Sequence, residues 1–401
     1  MNGYLFHKAC ERRKEGMRLV KGLGVPLLLG LLSASVAAQT FPITDFEAFP
    51  APSSNGSVMF RQPSFSGSTG SFIDGSVNTT QVVTDRAYSG TKSLRVNWQF
   101  VADRPAAWLR LTTFNTANLP NPALDFAHAL RFKIYVASGT PDVYVTLGVR
   151  ETNTTVPIGG NGGISGGIEW IGATSLDPGN VRPIGKLITA KDRWVEVVFN
   201  IPVEPVLPFA GGTANGVLDV PRGTLENISF TPVEAGAQGP YLIYLDDFEQ
   251  VAVWPISGNI ELRDFGGDVT QVPVTVELRQ NGNVVRTATV NLDASGNYSI
   301  PAVLPGTYDL AFKASHWLRV VVPGVTVEDA EVTGVDVSLT NGDVDGDNEV
   351  TLFDFGELVA AFGSMPGDGN WNPNADLDGD EEVSLFDFGV LVKNFGLVGE
   401  E

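Results

Sequence analysis

The C-terminal part of this 401-residue chain contains a repeat that restricts the possible fold more than any other feature. Segments 341–363 and 374–396 are identical at 16 of 23 aligned positions, at an offset of 33 residues. An acidic run that only kept the chain soluble would not reproduce its spacing twice. The repeat therefore predicts two copies of one small structural unit.

Each copy opens with a pattern of oxygen-bearing side chains that is typical of a calcium loop. Carboxylates stand at loop positions 1, 3, 5 and 12, position 7 can offer its carbonyl oxygen, and position 9 is a hydroxyl residue. Positions 1, 3, 5, 7, 9 and 12 are Asp343, Asp345, Asp347, Glu349, Thr351 and Asp354 in the first loop, and Asp376, Asp378, Asp380, Glu382, Ser384 and Asp387 in the second. We therefore expect two bound calcium ions.

A helix is predicted after each loop. Apolar residues recur there at helical spacing, and Gly363 and Gly396 are placed to end the helices as C-terminal caps. The apolar positions are Leu352, Phe355, Val359 and Phe362 in the first copy, and Leu385, Phe388, Val392 and Phe395 in the second. We expect these two faces to be buried against each other.

This duplicated segment, from about Gly342 to Gly396, resembles a type I dockerin domain. The resemblance implies a calcium-dependent module that attaches a secreted protein to a cohesin-like scaffold or cell-surface partner. In that family loop positions 10 and 11 read the partner, and small hydroxyl residues are common there. The corresponding residues here are Leu352, Phe353, Leu385 and Phe386. Loop position 6, usually glycine in the family, is Asn348 and Glu381, and a left-handed backbone would cost the glutamate roughly 1 kcal/mol.

The first 38 residues have the three parts of a secretory signal peptide. Basic residues up to Lys21 precede a short leucine-rich stretch, and small residues follow as far as Ala38. The apolar stretch is shorter than the roughly 20 residues that cross a bilayer, so a cleaved signal is favoured over an uncleaved anchor. We expect cleavage after Ala38 and a secreted or cell-surface protein with no transmembrane segment. The single cysteine, Cys10, would be removed with the signal.

The net charge of -20 argues against two classes of partner. The chain has 46 acidic and 26 basic residues. Phosphate-rich surfaces are bound by clustered lysine and arginine. Nucleic acid and anionic membranes are therefore not expected as partners.

Residues 39–252 show the two-residue periodicity of half-buried β-strands. Apolar side chains alternate with polar ones in segments 94–100, 130–136, 143–149 and 195–201, with turn residues between them. An all-β sandwich is predicted, with Trp98 in its core.

Segments 43–47, 88–96 and 244–248 resemble parts of jelly-roll carbohydrate-binding modules. The resemblance implies a polysaccharide ligand. Members of that group often hold a structural calcium between the first and last strands, so Glu47 and Asp247 are candidate ligands for a third ion. The alternative is that these acidic residues are solvated at strand ends.

Side chains that point away from the predicted core are candidates for sugar binding. Sugar rings stack on aromatic side chains, and polar neighbours hydrogen-bond the hydroxyl groups. The candidates are Trp108, Arg110, Tyr135, Tyr144, Trp194 and Glu196. The alternative is that several of these aromatic residues pack under loops or at sheet edges.

Residues 253–340 predict a second, smaller sandwich. Two alternating runs flank the turn at 280–283 and indicate a β-hairpin. The region resembles carboxypeptidase regulatory-like modules, which implies an immunoglobulin- or prealbumin-like β-sandwich that acts as a spacer. His316 has no nearby ligand set and is interpreted as structural.

The sequence thus predicts a mainly β chain of four parts: 1–38, 39–252, 253–340 and the small helical calcium-binding domain 341–397. The favoured function is non-catalytic polysaccharide binding with calcium-dependent docking. A jelly-roll glycoside hydrolase or polysaccharide lyase is one alternative, and a structural matrix or surface-layer component is another. Hydrolysis needs two carboxylates that flank the bond, and Glu151, Glu169 and Glu196 are scattered along the sequence, so no catalytic residue is assigned.

Overall fold

The computed structural model describes residues 38–113, 116, 118–157, 166–177 and 182–401. The predicted signal peptide, apart from Ala38, lies outside the described residues. Within the described part of the chain, no helix is long and apolar enough to cross a membrane.

The first domain consists of short strands joined by turns, as the alternation of apolar residues predicts. Its strands are β1 (Thr40–Thr44), β2 (Ile73–Val83), β3 (Ser93–Phe100), β4 (Leu109–Thr112), β5 (Ala123–Asp125), β6 (His128–Val136), β7 (Val143–Arg150), β8 (Ile168–Ile171), β9 (Ser175–Leu176), β10 (Pro183–Ile184), β11 (Lys186–Ile188), β12 (Trp194–Asn200), β13 (Val206–Ala210), β14 (Arg222–Pro232) and β15 (Tyr241–Ala252). Short 3-10 turns lie at Pro63–Phe65, Gly70–Phe72, Ile201–Val203 and, in the second domain, Val269–Gln271.

Two sheets pack face to face in this domain. Among the described residues, the six-stranded sheet runs β12–β6–β15–β3–β2, with β1 paired to β15. The seven-stranded sheet runs β13–β8–β7–β14–β4, with β11 paired to β7 and β5 paired to β14. Inward side chains of both sheets form one core. Trp98 is fully buried there and stacks on Tyr241 with ring centroids 4.7 Å apart. The predicted β-sandwich is confirmed.

The second domain is a smaller sandwich with its own core. Its strands are β16 (Trp254–Leu262), β17 (Val274–Gln280), β18 (Asn283–Val290), β19 (Asn297–Val303), β20 (Gly306–Lys313), β21 (Val320–Val327) and β22 (Val337–Leu339). They form the sheets β19–β16–β22 and β18–β17–β20–β21. Asn281 and Gly282, with φ of 50° and 76°, make the two-residue turn of the predicted hairpin β17–β18.

The third domain consists of the two predicted loops, each followed by a helix. The helices are α1 (Leu352–Ala361) and α2 (Leu385–Asn394). Thr351 and Ser384 are their N-caps, and each forms a capping box with the aspartate three residues later. Gly363 and Gly396 follow the helices with φ of 77° and 85°, as their predicted capping role requires.

The prediction that the two apolar helix faces bury each other was wrong. Leu358 and Ala361 of α1 and Leu391 of α2 are buried instead, against loop residues such as Val350 and Val383. The predicted faces are 36–72% exposed. The reason is geometric: position 12 must face its loop, so the residues four and seven places further along the helix face it as well.

Candidate functional site

Three carboxylates converge in each C-terminal loop. Oxygens of Asp343, Asp345 and Asp354 lie within 4.8 Å of one another, and the same holds for the second-loop residues Asp376, Asp378 and Asp387. The structure therefore brings together loop positions 1, 3 and 12 of both predicted sites.

Positions 5 and 9 make local hydrogen bonds in each loop. The carboxylates of Asp347 and Asp380 lie outside these clusters and accept the backbone N–H of Glu349 and Glu382, each at 2.9 Å. The position-9 hydroxyls cap the helices by accepting backbone N–H groups of Phe353 and Phe386, at 3.2 and 3.1 Å. Positions 1, 3 and 12 thus form the cluster of each candidate ion site, and ligation by positions 5 and 9 stays a prediction.

The position-12 carboxylates tie each loop to the start of its helix. Asp354 is fully buried and accepts the backbone N–H of Thr351 at 2.7 Å and of Asp345 at 3.1 Å. Asp387 is also buried, and accepts N–H groups from Ser384 and Leu377 at 2.7 and 2.6 Å. An ion held by these residues would therefore also fix the first turn of the helix.

The electrostatics of the clusters fit a hard divalent cation. Burial is the main factor that raises the pKa of Asp343, Asp345, Asp376 and Asp378, and neighbouring carboxylates add to it. Among the described residues, Oδ1 of Asp343 is buried and has no hydrogen-bond partner. Carboxylate oxygens crowded in a short loop are the ligand set that calcium prefers.

Loop one also touches a cation from the second domain. The Lys313 ammonium lies 2.8 Å from Oδ2 of Asp343 and donates to the carbonyl oxygens of Ala314, Ser315 and Trp317 at 2.7–2.9 Å. Among the described residues, no lysine or arginine lies within ion-pair distance of the three clustered carboxylates of loop two. The two loops therefore differ in charge environment although their sequences are closely similar.

Loop two and the domain core are also in contact with the second domain. The backbone N–H of Gly266 donates to the carbonyl of Asp378 at 2.7 Å. A Cβ added at Gly379 would collide with the Phe265 ring. Leu318 belongs to the buried core of the helical domain. The second sandwich thus supports loop two and the core of the helical domain through direct contacts.

His316 belongs to this contact. Its ring is buried and stacks on Trp317 at 3.8 Å, and burial lowers its pKa to about 3. Its carbonyl accepts the backbone N–H groups of Gly342 and Asp343 at 2.9 and 3.0 Å. The residue is therefore a neutral packing residue that supports the start of loop one.

Loop position 6 has the left-handed backbone that the calcium-loop pattern requires. The φ angles of Asn348 and Glu381 are 73° and 69°. Asn348 offsets its strain because its Oδ1 accepts the backbone N–H of Arg319 at 2.7 Å. Among the described residues, no hydrogen bond is found for the Glu381 side chain.

Glu381→Gly is expected to stabilise the helical domain by about 1 kcal/mol, since glycine adopts a positive φ without a Cβ penalty. Thermal unfolding of the full chain in calcium measures the effect. Glu381→Gln, which removes the charge but keeps the Cβ, should give little of this gain. Asn348→Gly should destabilise the domain, because it removes the side-chain hydrogen bond. A loss of stability in Glu381→Gly would contradict the strain argument.

The predicted partner-binding residues are strongly exposed apolar side chains. Leu352, Phe353, Leu385 and Phe386 are 71–74% exposed. Phe355 and Phe388 meet with ring centroids 5.9 Å apart and connect the two helices. We call the following ten residues the apolar helix surface: Leu352, Phe353, Phe355, Val359, Phe362, Leu385, Phe386, Phe388, Val392 and Phe395.

The six predicted sugar-binding residues are not brought together. Trp108, Arg110 and Tyr144 lie on the outer face of the seven-stranded sheet, because Leu109, Val143 and their alternating neighbours point into the core. Tyr135, Trp194 and Glu196 lie on the outer face of the six-stranded sheet, on the other side of the sandwich. Period-two alternation gives a side chain's face within its own strand but does not tell which sheet the strand joins.

Trp108 was predicted to be exposed, but it is buried. Only 1% of it is accessible, because it packs against Trp170 and Phe209 with centroids 5.7 and 5.9 Å away. Its neighbour Arg110 lies 3.6 Å from Glu226 and 5.0 Å from the Phe209 ring. An aromatic cluster on β8 and β13 thus covers this part of the outer face.

The outer face of the six-stranded sheet carries an accessible aromatic group. Trp194 is half-buried and lies 5.7 Å from Tyr135 and 6.0 Å from Tyr88, centroid to centroid. Tyr88 is 50% exposed, whereas Tyr135 is buried. Lys133 lies 4.7 Å from the Tyr88 ring and pairs with Glu196 at 2.6 Å. Tyr88 was missed as a site residue because it lies in a loop, outside the strand alternation.

Glu47 and Asp247, the candidate ligands for a third calcium ion, each accept hydrogen bonds from loop 84–92. Glu47 accepts the backbone N–H groups of Thr91 and Lys92, both at 2.6 Å, while Asp247 accepts the Ser89 hydroxyl at 2.7 Å. The Lys92 ammonium donates to the carbonyl of Glu47 at 2.7 Å. Among the described residues, neither carboxylate belongs to a cluster of three or more acidic, histidine or cysteine side chains. These acidic residues tie a loop to the sheet, and a third calcium ion at this place stays a prediction.

Comparison with known proteins gives one family match. Residues 256–340 match the model of the carboxypeptidase regulatory-like domain. The second sandwich is a carboxypeptidase regulatory-like domain. No curated protein matches the chain.

Several solved structures are similar to parts of the chain. A chain of a type II Cohesin-X-Dockerin complex from Acetivibrio cellulolyticus is 26% identical, with 36% of this chain and 97% of that chain covered and a TM-score of 0.31. The family 11 carbohydrate-binding module from Clostridium thermocellum, in complex with a β-1,3-1,4-mixed-linked tetrasaccharide, is 12% identical, with 54% and 97% covered and a TM-score of 0.32. The CBM22-1 xylan-binding domain from Paenibacillus barcinonensis is 10% identical, with 45% and 83% covered and a TM-score of 0.22.

Proposed function

We propose that the protein is a secreted, non-catalytic polysaccharide-binding protein whose C-terminal domain docks in a calcium-dependent way onto a cohesin-like scaffold or cell-surface protein. The observation that carries this proposal is the position of the Leu-Phe pairs. In both copies the exposed pair directly precedes the buried position-12 aspartate.

The apolar helix surface has the character of a protein-binding site. Its ten side chains are each at least 36% exposed, and the Phe355–Phe388 contact connects the two helices that carry them. Large exposed apolar patches are uncommon on monomers and mark interaction sites. Aromatic anchors of this kind supply much of the binding energy in protein interfaces.

Calcium and docking are connected through the first helical turn. Leu352 and Phe353 are the first two residues of α1. The third is Asp354, which belongs to the carboxylate cluster of loop one. An ion held by Asp354 therefore fixes the backbone that presents the pair. The same arrangement is repeated in α2.

A panel of type I and type II cohesin domains tests the docking proposal. We expect the full-length protein to bind at least one of them in calcium, and to release it in chelator. Phe353→Ser combined with Phe386→Ser should abolish capture, because the two most exposed phenylalanine side chains of the surface are lost. Val284→Ser, at an exposed valine in the β17–β18 hairpin, is the control. Binding that survives both chelation and the double substitution would contradict the proposal.

The outer face of the six-stranded sheet is the proposed polysaccharide-binding surface. The accessible rings of Tyr88 and Trp194 can stack on sugar rings, and the adjacent Lys133–Glu196 pair offers hydrogen-bonding groups. Glu151 and Glu169, in contrast, are buried and accept backbone hydrogen bonds from loop 215–219. These two carboxylates hold a loop rather than flank an open groove.

Trp194→Ala and Tyr88→Ala are each expected to weaken retention on insoluble polysaccharide about tenfold, the effect of losing roughly 1.4 kcal/mol of stacking. Affinity electrophoresis or a depletion assay measures it. Trp108→Ala is the contrast: it should cost about 3–5 kcal/mol of stability, as expected for a buried aromatic residue. If retention depends on Trp108 in folded protein and not on Trp194, the proposed surface is wrong.

A further inference from the structure

A cleft lies between the jelly-roll sandwich and the carboxypeptidase regulatory-like domain. Its volume is about 470 Å³, and both domains contribute to its walls. That volume lies within the ordinary range of small-ligand sites. None of its residues belongs to the calcium loops, the apolar helix surface or the proposed polysaccharide surface.

The cleft carries a net positive charge in a strongly acidic protein. Its charged lining residues are Lys186, Glu204 and Arg286. Lys186 and Glu204 pair with each other at 2.7 Å. Among the described residues, no carboxylate lies within ion-pair distance of Arg286. One cationic charge therefore remains uncompensated in a chain whose net charge is -20.

Arg286 is held in place by the protein backbone. Its Nη1 donates to the carbonyl oxygens of Pro301 and Ala302 at 2.9 and 2.8 Å. The side chain is half-buried, and burial lowers its pKa, so an anion in the cleft would offset the cost of its desolvation. A guanidinium fixed on one side presents its other N–H donors in a fork that matches a carboxylate.

The Asn200 side chain shares the carbonyl oxygen of Ala302 with Arg286. Nδ2 of Asn200 donates to the carbonyl of Ala302 at 2.6 Å. This leaves Oδ1 of Asn200, which is buried and has no hydrogen-bond partner among the described residues. An unpaired acceptor next to a fixed guanidinium would be satisfied by a ligand with a hydroxyl donor beside an anionic group.

We propose that this interdomain cleft binds a carboxylated sugar unit, with its carboxylate on Arg286 and a hydroxyl group donating to Oδ1 of Asn200. The single net charge of the cleft matches a monoanion, whereas a phosphate would bring more charge next to Glu204. The site extends the proposed polysaccharide-binding function to acidic glycans, and it is separate from the surface formed by Tyr88 and Trp194.

Calorimetry on the full-length protein tests this site with α-1,4-linked digalacturonate and its neutral galactose counterpart. We expect digalacturonate to bind at least tenfold more tightly than the neutral disaccharide. Arg286→Gln should remove the difference, and Asn200→Ala should weaken binding of digalacturonate. Arg263→Gln, at an exposed arginine outside the cleft, should bind like the wild type. Equal affinity for both disaccharides, or no effect of Arg286→Gln, would overturn the proposal.

Further variants keep the test decisive. If Arg286→Gln unfolds the domain, Val285→Glu places a negative charge at an exposed lining position without removing a contact of Arg286. It should abolish binding of digalacturonate, and unchanged binding would refute the site.

Displacement by inorganic sulfate as readily as by digalacturonate would also overturn the proposal, since it would show a plain anion site. Tyr88→Ala and Trp194→Ala should leave this binding intact, so that failure of the proposed polysaccharide surface is distinguished from failure of the cleft.

Discussion

Removal of calcium is expected to unfold both loop–helix units of the full-length protein. Loop one carries five acidic side chains and loop two carries six within twelve residues each. Three carboxylates in each loop lie within 4.8 Å of one another. Charges at such distances repel by ~1 kcal/mol or more per pair, and no disulfide supports the domain. A free calcium concentration a thousand times the dissociation constant would add roughly 4 kcal/mol of stability per site. Magnesium should substitute poorly, because it keeps its waters and demands a tighter shell.

Amide hydrogen exchange across α1 and α2, with calcium or with chelator, measures this effect, and calorimetry gives the number of ions. Asp354→Ala and Asp387→Ala should each reduce the stoichiometry from two ions to one. Glu357→Ala removes an exposed acidic side chain from α1, the helix of Asp354, and should leave both ions bound. Equal protection of the helices with and without chelator would contradict the coupling of binding to folding.

Lys313→Met is expected to raise the calcium affinity of loop one. In the wild-type protein, the Lys313 ammonium lies 2.8 Å from the fully buried Asp343 and opposes a cation at that carboxylate. In the variant, the ammonium no longer repels the ion. Removing roughly 1.4 kcal/mol of such repulsion corresponds to about tenfold higher affinity in loop one. The wild-type protein should accordingly bind its two ions with unequal affinity, loop one being the weaker site.

Two-site calorimetric titration distinguishes these expectations. In Lys313→Met the two affinities should approach each other, because the second loop has no such neighbour. Lys393→Met is the control, since Lys393 pairs with Asp264 at 2.5 Å rather than with a loop carboxylate. A lower calcium affinity of loop one in Lys313→Met would show that the lysine organises the site more than it repels the ion.

Much of the fold could be predicted because it depends on local patterns. The alternation of apolar and polar residues predicts the strands, and the Asn-Gly turn predicts the hairpin. The apolar spacing after each repeated loop predicts the two helices. The buried helix face was not predicted, because the most apolar stripe of each helix is exposed and the buried stripe is the one that contains position 12. Asp354, Leu358 and Ala361 share one face, and that spacing was available in the sequence.

Other features depend on contacts between residues far apart in the chain. Lys313 and Asp343 are 30 residues apart, and the aromatic cover over Trp108 comes from β8 and β13. Alternation within a strand does not predict such neighbours. For the same reason, it did not indicate that the six candidate sugar residues would be divided between two sheets.

The contact between the last two domains has a practical meaning for anyone who wishes to graft the helical domain, our proposed docking module, onto another protein. Leu318 fills part of the helical core, and Gly266 and Phe265 contact loop two. The backbone N–H of Glu400 donates to the carbonyl of Arg319 with an N···O distance of 2.9 Å. A fusion cut at residue 340 would sever these contacts and leave Leu318 behind. The transferable cassette is therefore residues 253–401, and a cargo enzyme joined before Trp254 would receive the docking module together with its supporting domain.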